Sequence, residues 1–92
     1  MPVLMIAEVP NLTEEIYAGL ISELTPLMRA YDGFISHAGG PRWPGGWRVV
    51  EIWESEADSQ KWYDEVVKPN LPPGVGILQD RHYYPLHTAF TK

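Results

Sequence analysis

His37 and Glu51 are the residues of this chain best placed to do chemistry, because each interrupts an apolar, aromatic run. His37 ends the run Gly33-Phe34-Ile35-Ser36-His37, and Glu51 lies inside Trp47-Arg48-Val49-Val50-Glu51-Ile52-Trp53-Glu54-Ser55. An ionisable group in such surroundings is costly unless it is paired, so it tends to be retained where function needs it. Strand alternation puts Trp47, Val49, Glu51 and Trp53 on one face, with Arg48, Val50, Ile52 and Glu54 on the other. The second set carries charges at its ends and aliphatics in its middle, as a face packed on another copy would. The first set then faces the helices and any pocket, which leaves the Glu51 carboxylate half-buried between tryptophans as a candidate general acid or base. The competing reading is a carboxylate paired with an arginine or set on a solvated edge.

His37 shares its strand face with Ile35 and stands opposite Phe34, Ser36 and Ala38 by simple alternation. Imidazole is the usual proton shuttle near neutral pH, so His37 and Glu51 on one sheet face would form an acid/base pair. A one-residue slip in register would separate them and leave His37 a core histidine satisfied by backbone or water. Toward the C-terminus, His82, Tyr83, Tyr84 and His87 add titratable groups, and Tyr84 and His87 are the further catalytic candidates. Either could orient or protonate a substrate oxygen; the alternative is an interfacial or exposed position. The candidate substrate contacts are Ile35, Trp47, Val49, Trp53 and Trp62, drawn from a chain rich in aromatics, with four Trp, five Tyr and two Phe. Trp43, in a proline-flanked turn, is either a lid over a pocket or a surface anchor.

Several classes of function are disfavoured. The three histidines have no carboxylate at a recognisable ligand spacing, so no metal site is expected. With no cysteine, disulfides, thiolate ligation and cysteine nucleophiles are excluded. The glycine-rich stretch 39–46 has no phosphate-loop pattern. A net charge of −5, from 7 basic and 12 acidic side chains with the arginines scattered, argues against a nucleic-acid partner. No apolar run is long enough to span a membrane and no signal-like leader is visible, so the expected location is cytoplasmic, without a membrane partner.

The elements that must position these groups follow from local patterning. Val3 to Val9 is a short β-branched and aliphatic run bounded by prolines, which reads as a buried strand. Asn11 or Thr13 caps a helix with Glu14 and Glu15 in its first turn and an apolar stripe at Ile16, Leu20, Leu24 and Leu27, flanked by Tyr17, Ile21 and Met28. Pro26 should kink or split that helix around Ser22 to Thr25. A hairpin comes next, with strands at Phe34 to Ala38 and Trp47 to Glu54 joined through Pro44-Gly45-Gly46. Ser55 caps a second helix, Glu56 to Lys68, whose buried pairs are Trp62/Val66 and Tyr63/Val67, with Pro69 as its end. A last strand lies within Gln79 to Phe90. The order β-α-β-β-α-β predicts one α+β domain over 1–92, a ferredoxin-like four-stranded antiparallel sheet with two helices on one face. Pro85 fits an edge strand, where a missing donor faces outward. The uncovered sheet face, formed by Val3, Met5, Ala7 and Val9 or by their alternates, predicts a homodimer packed sheet to sheet.

The chain resembles the dimeric α/β-barrel superfamily and, within it, the antibiotic-biosynthesis-monooxygenase-like proteins. The resemblance covers essentially the whole chain and is carried by its layout, by Gly33-Phe34-Ile35-Ser36-His37-Ala38, by Gly46 to Ser55, and by Pro85-Leu86-His87 with Phe90. It implies a pocket within each subunit, between sheet and helices. It also implies a range of activities: cofactor-independent oxygenation of polycyclic phenols, polyketide cyclisation, lactone isomerisation and haem degradation, beside members without known activity. Haem-degrading members use a histidine on the second helix; Glu56 to Lys68 contains none, so that activity does not carry over. The expectation is a small cofactor-independent enzyme acting by acid/base chemistry on a hydrophobic aromatic or polyketide-like metabolite, with monooxygenation first. Cyclisation or isomerisation needs the same parts, and a non-catalytic ligand-binding or accessory dimer is the alternative from another class.

Overall fold

Seven residues of β-branched and aliphatic character, Val3–Val9, form the first strand of a computed structural model that describes residues 1–76 and 79–90. Ile77, Leu78, Thr91 and Lys92 lie outside the described residues. The order is β1 (Val3–Val9), α1 (Glu14–Arg29), β2 (Phe34–Pro41), β3 (Trp47–Trp53), α2 (Glu56–Trp62), a π-helical segment (Tyr63–Val67), α3 (Lys68–Asn70) and β4 (Asp80–Pro85). The strands form one sheet in the order β2-β3-β1-β4, and each neighbouring pair is antiparallel. This is the ferredoxin-like arrangement, with β2 and β4 at the edges. Pro85, the last residue of β4, is on an edge strand, where a missing donor is tolerated.

The helices begin as their caps dictate. Thr13 accepts from the Ile16 N–H at 3.2 Å, and Ser55 accepts from the Asp58 N–H at 3.1 Å. Pro26 does not split α1, which runs unbroken through it. Near the proline, the Thr25 hydroxyl donates to the Ile21 carbonyl at 2.5 Å and supplies a polar contact where the helix loses a backbone donor. The second helix also passes Pro69, ending at Asn70 rather than at the proline. It does so after widening into the π turn Tyr63–Val67, and the Asn70 side-chain amide donates to the Val66 carbonyl at 2.6 Å. An i→i+5 turn of this kind shifts the phase of every later side chain, so Tyr63 and Val67 are presented differently than an unbroken α-helix would present them.

The register places four rows of side chains on the helix-covered face. His37 pairs with Glu51, Glu51 with Met5, and Met5 with Tyr83; the next row runs Gly39, Val49, Ala7 and Arg81. Flanking these, Pro41, Trp47 and Val9 form one outer row, and Phe34, Trp53, Val3 and Pro85 the other. The hairpin register carries one irregularity, a shift between Phe34 and Ser36 that makes Ile35 an extra residue. Simple alternation therefore fails here. Phe34 lies on the same face as His37, packing edge-on against Trp53 with ring centres 5.5 Å apart.

Two apolar clusters fill the space between sheet and helices. One gathers Met5, Ala7, Val9, Leu12 and Trp47; the other gathers Leu24, Met28, Trp53 and Trp62. The opposite sheet face carries Leu4, Ile6, Val50 and Ile52, all only half-buried. These are the alternates of the β1 residues Met5, Ala7 and Val9, which are buried under the helices. At one end of the open face Glu8 receives Arg48 at 2.6 Å and Arg42 at 2.8 Å. Those two guanidinium groups, Arg48 first, hold the Glu8 carboxyl below its ordinary value.

Candidate active site

Glu51 is the buried acid around which the site is built. At 5% exposure it is one of the two buried polar residues among those described, and both of its oxygens are engaged. Oε2 lies 2.7 Å from His37 Nδ1, and Oε1 accepts from Trp53 Nε1 at 2.9 Å. On the far side of the imidazole, His37 Nε2 is 2.6 Å from the Tyr17 hydroxyl. An ionised carboxylate can only accept, so Nδ1 carries the proton toward Glu51. In neutral imidazole Nε2 is then the bare nitrogen, and Tyr17 donates its O–H to it. The result is one directed chain: Tyr17 O–H to His37, His37 N–H to Glu51, with the fully buried Trp53 indole holding the other carboxylate oxygen.

Each member is placed by a different element. His37 and Glu51 are direct cross-strand partners of β2 and β3, a pairing that depends on the extra residue at Ile35. Tyr17 reaches down from the first turns of α1 and stacks nearly parallel to His37, with ring centres 6.0 Å apart and planes inclined by 12°. It also packs on Trp47 at 5.0 Å. Gly39 makes this approach possible, because a Cβ there would overlap the Tyr17 ring and hydroxyl. Burial, and after it the negative charge of Glu51, raise the Tyr17 phenol above its ordinary value of 10.0. Tyr17 is therefore a neutral donor throughout the physiological range.

These three side chains line a cavity of about 90 Å³ that opens between the two apolar clusters. Its walls are almost entirely apolar, from Met5, Ala7 and Val9 of the sheet, Leu20, Leu24 and Met28 of α1, and Trp62 and Val67 from the second helical stretch. His37 also borders a second hollow, bounded by Ile21, Thr25, Met28, Arg29 and Phe34. The imidazole thus stands between the cavity and the surface, with its side chain 16% exposed.

The other expected site residues divide. Val49 and Trp62 line the cavity, whereas Trp47 and Trp53 stand behind it, one packed on Tyr17 and the other bonded to Glu51. Ile35, expected beside His37, is the extra residue of the β2 irregularity and is not part of the cavity wall. Tyr84 pairs with Leu4 on the open sheet face and is 48% exposed, because β4 alternation turns Tyr83 inward instead. His87 lies beyond the end of β4, exposed, with Nδ1 2.6 Å from the Thr88 hydroxyl. Trp43 is 91% exposed and touches neither cavity nor groove. No cluster of three or more potential metal-binding side chains occurs among the described residues.

Two cavity residues are not singled out by sequence pattern. Tyr17 reads only as a flank of the α1 stripe, yet a tyrosine on a buried helix face must find its hydroxyl a partner. Arg81 reads only as one of the scattered arginines, although it sits two residues from Tyr83 and so on the same strand face.

No known family profile matches the chain, and no curated protein matches it in sequence. Solved structures do match. A protein of unknown function from Nitrosomonas europaea aligns over 99% of this chain and 93% of its own, with a TM-score of 0.70 and 17% identity. A proposed monooxygenase from Shewanella loihica PV-4 aligns over 96% of each chain, with a TM-score of 0.58 and 18% identity. The βαββαβ topology and these full-length likenesses give the chain a ferredoxin-like fold.

Proposed function

We propose that the protein is a cofactor-independent enzyme that removes a proton from a small aromatic or otherwise conjugated substrate, with monooxygenation as the subsequent reaction. The observation that carries this reading is the hydrogen-bonded chain Tyr17–His37–Glu51 ending on the wall of an apolar cavity. Tyr17 is the group that meets the substrate. As its oxygen takes the substrate proton, its own proton passes to His37 Nε2, and the imidazolium so formed is held by the Glu51 carboxylate. The apolar walls keep water from the resulting anion. A phenolate generated there reacts with dioxygen at a ring C–H position. One oxygen atom stays as a quinone carbonyl, the other leaves as water, and the substrate supplies the electrons.

The cavity is smaller than the roughly 150 Å³ apolar cavity that holds one benzene molecule, so a single ring reaching into the mouth is the scale of substrate favoured, rather than a fused system. The Shewanella loihica protein, described as a proposed monooxygenase, supports this direction of reaction through fold alone. Cyclisation or isomerisation would begin with the same proton removal. A second reading, a ligand-binding dimer without turnover, is favoured by one observation: every side-chain nitrogen and oxygen of His37 and Glu51 already has an internal partner. In either case we infer that two copies pack through the open face of Leu4, Ile6, Val50 and Ile52.

The test is a panel of single-ring hydroquinones and enolisable ketones, monitored by oxygen electrode and by deuterium exchange at the acidic C–H. Oxygen uptake that is lost in Tyr17→Phe supports monooxygenation, and exchange without uptake supports isomerisation. Neither signal above buffer, with ligand still bound, leaves the binding protein as the correct reading.

A further inference from the structure

Arg81 is a cation with no anionic partner among the described residues. It projects from β4 onto the helix-covered face, beside Ala7, and lines the same apolar cavity as Tyr17 and His37. Its Nε is fully buried and has no hydrogen-bond partner among the described residues. No described carboxylate lies within ion-pair distance of it, although the chain carries 12 acidic side chains against 7 basic ones. A buried Nε left unpaired beside an apolar cavity is costly, and it is the kind of cost a fold keeps where a ligand completes the pairing.

The guanidinium is also held in place. It lies over the Tyr63 ring, 4.1 Å from its centre, and donates from one terminal nitrogen to the Tyr83 hydroxyl at 2.7 Å. Tyr83 is in turn tied to the buried Ser59 hydroxyl at 3.0 Å. Tyr63 is the first residue of the π turn, so the departure from α-helical geometry falls where the arginine is seated. These contacts use the face of the guanidinium and one of its five donors, and leave Nε unspent. Trp62, another wall residue, likewise has a buried Nε1 with no partner among the described residues. Two residues of the cavity wall thus carry buried N–H donors that no described acceptor satisfies.

We propose that Arg81 is the anion-recognition residue of this cavity and that the ligand is a small apolar carboxylic acid, its carboxylate on the guanidinium and its apolar part directed toward Tyr17 and His37. A carboxylate matches the planar fork of arginine, and it accepts without donating, as the unpaired N–H groups require. Arg81 and His37 come from opposite edge strands of the sheet, so the ligand is bound from one side and met by the proton-transfer chain from the other. This assigns the substrate class of the proposed acid/base site, and it rests on that reading for the chemistry after binding but not for binding itself.

The experiment is a binding titration of the intact protein with benzoate and with its neutral isostere benzamide, monitored by tryptophan fluorescence and by amide chemical shifts. Benzoate is expected to bind roughly tenfold or more tighter than benzamide, with shifts centred on Arg81, Tyr63 and Ala7. Arg81→Gln should remove that preference, and Arg81→Lys should keep part of it. Equal binding of the two probes by the wild-type protein overturns the proposal whether or not the variants fold, and so does failure of both to bind at millimolar concentration. Benzoate binding with no turnover of any substrate tested would overturn the enzymatic reading and leave the anion site standing. Turnover of neutral substrates without a benzoate preference would do the reverse.

Discussion

The Tyr17 hydroxyl occupies the space that a side chain at position 39 would need, so the catalytic tyrosine proposed for α1 and a glycine of β2 are sterically coupled. A methyl group at Gly39 would overlap the Tyr17 ring and push its oxygen away from His37. Gly39→Ala is expected to lower stability by about 1–3 kcal/mol, the usual scale of overpacking, and to abolish proton transfer through Tyr17. In a Tyr17→Leu background the same substitution should cost much less. A double-mutant cycle by urea denaturation reads this directly, and additive effects would show that the two residues are not coupled.

Glu51→Gln retains shape and reverses polarity. The amide would donate to His37 Nδ1 and drive the proton to Nε2, where it would oppose the Tyr17 O–H. Nitrogen chemical shifts of the His37 ring should report the Nδ1–H tautomer in the wild type and the Nε2–H tautomer in the variant. Turnover should fall by roughly 10²–10⁴, the range for losing a positioned acid or base. An unchanged tautomer would mean that the carboxylate does not orient the imidazole.

Alkaline stability is expected to depend in part on Tyr17. Its phenol is raised above 10.0 by burial and by the Glu51 charge, so the native state holds this proton more tightly than the unfolded chain does. That contribution is fully present below about pH 10 and is lost as pH rises through the higher native value. The urea midpoint of the wild type should decline above about pH 10, and Tyr17→Phe should flatten the decline. Parallel curves would show that other groups govern it.

The open sheet face predicts association. Ile6 lies at its centre, paired with Val50 on one side and His82 on the other. Ile6→Lys should convert a dimer into a monomer in sedimentation equilibrium while leaving far-ultraviolet circular dichroism unchanged. A wild-type protein that is monomeric at micromolar concentration would remove the proposed interface.

Much of the architecture is legible in the sequence because it is local. The run Val3–Val9, the Thr13 and Ser55 caps, the glycine-rich hairpin and the inward face Trp47, Val49, Glu51, Trp53 all come from propensity and two-residue alternation within a single segment. The prolines mislead for a related reason. Pro26 and Pro69 break helices in isolation, but packing and the π turn at Tyr63–Val67 carry the chain past them.

By itself the sequence determined the ferredoxin-like order of elements and the inward aim of Glu51, since both depend on neighbours in the chain. Only the tertiary structure decided that His37 meets Glu51, because one extra residue at Ile35 resets the face of everything after it in β2. It likewise decided that Tyr17 completes the chain and that Arg81 stands opposite, its Nε without a partner among the described residues. Those residues lie on different elements, far apart in sequence. Their meeting depends on strand register and on the absence of a side chain at Gly39, which no local pattern encodes.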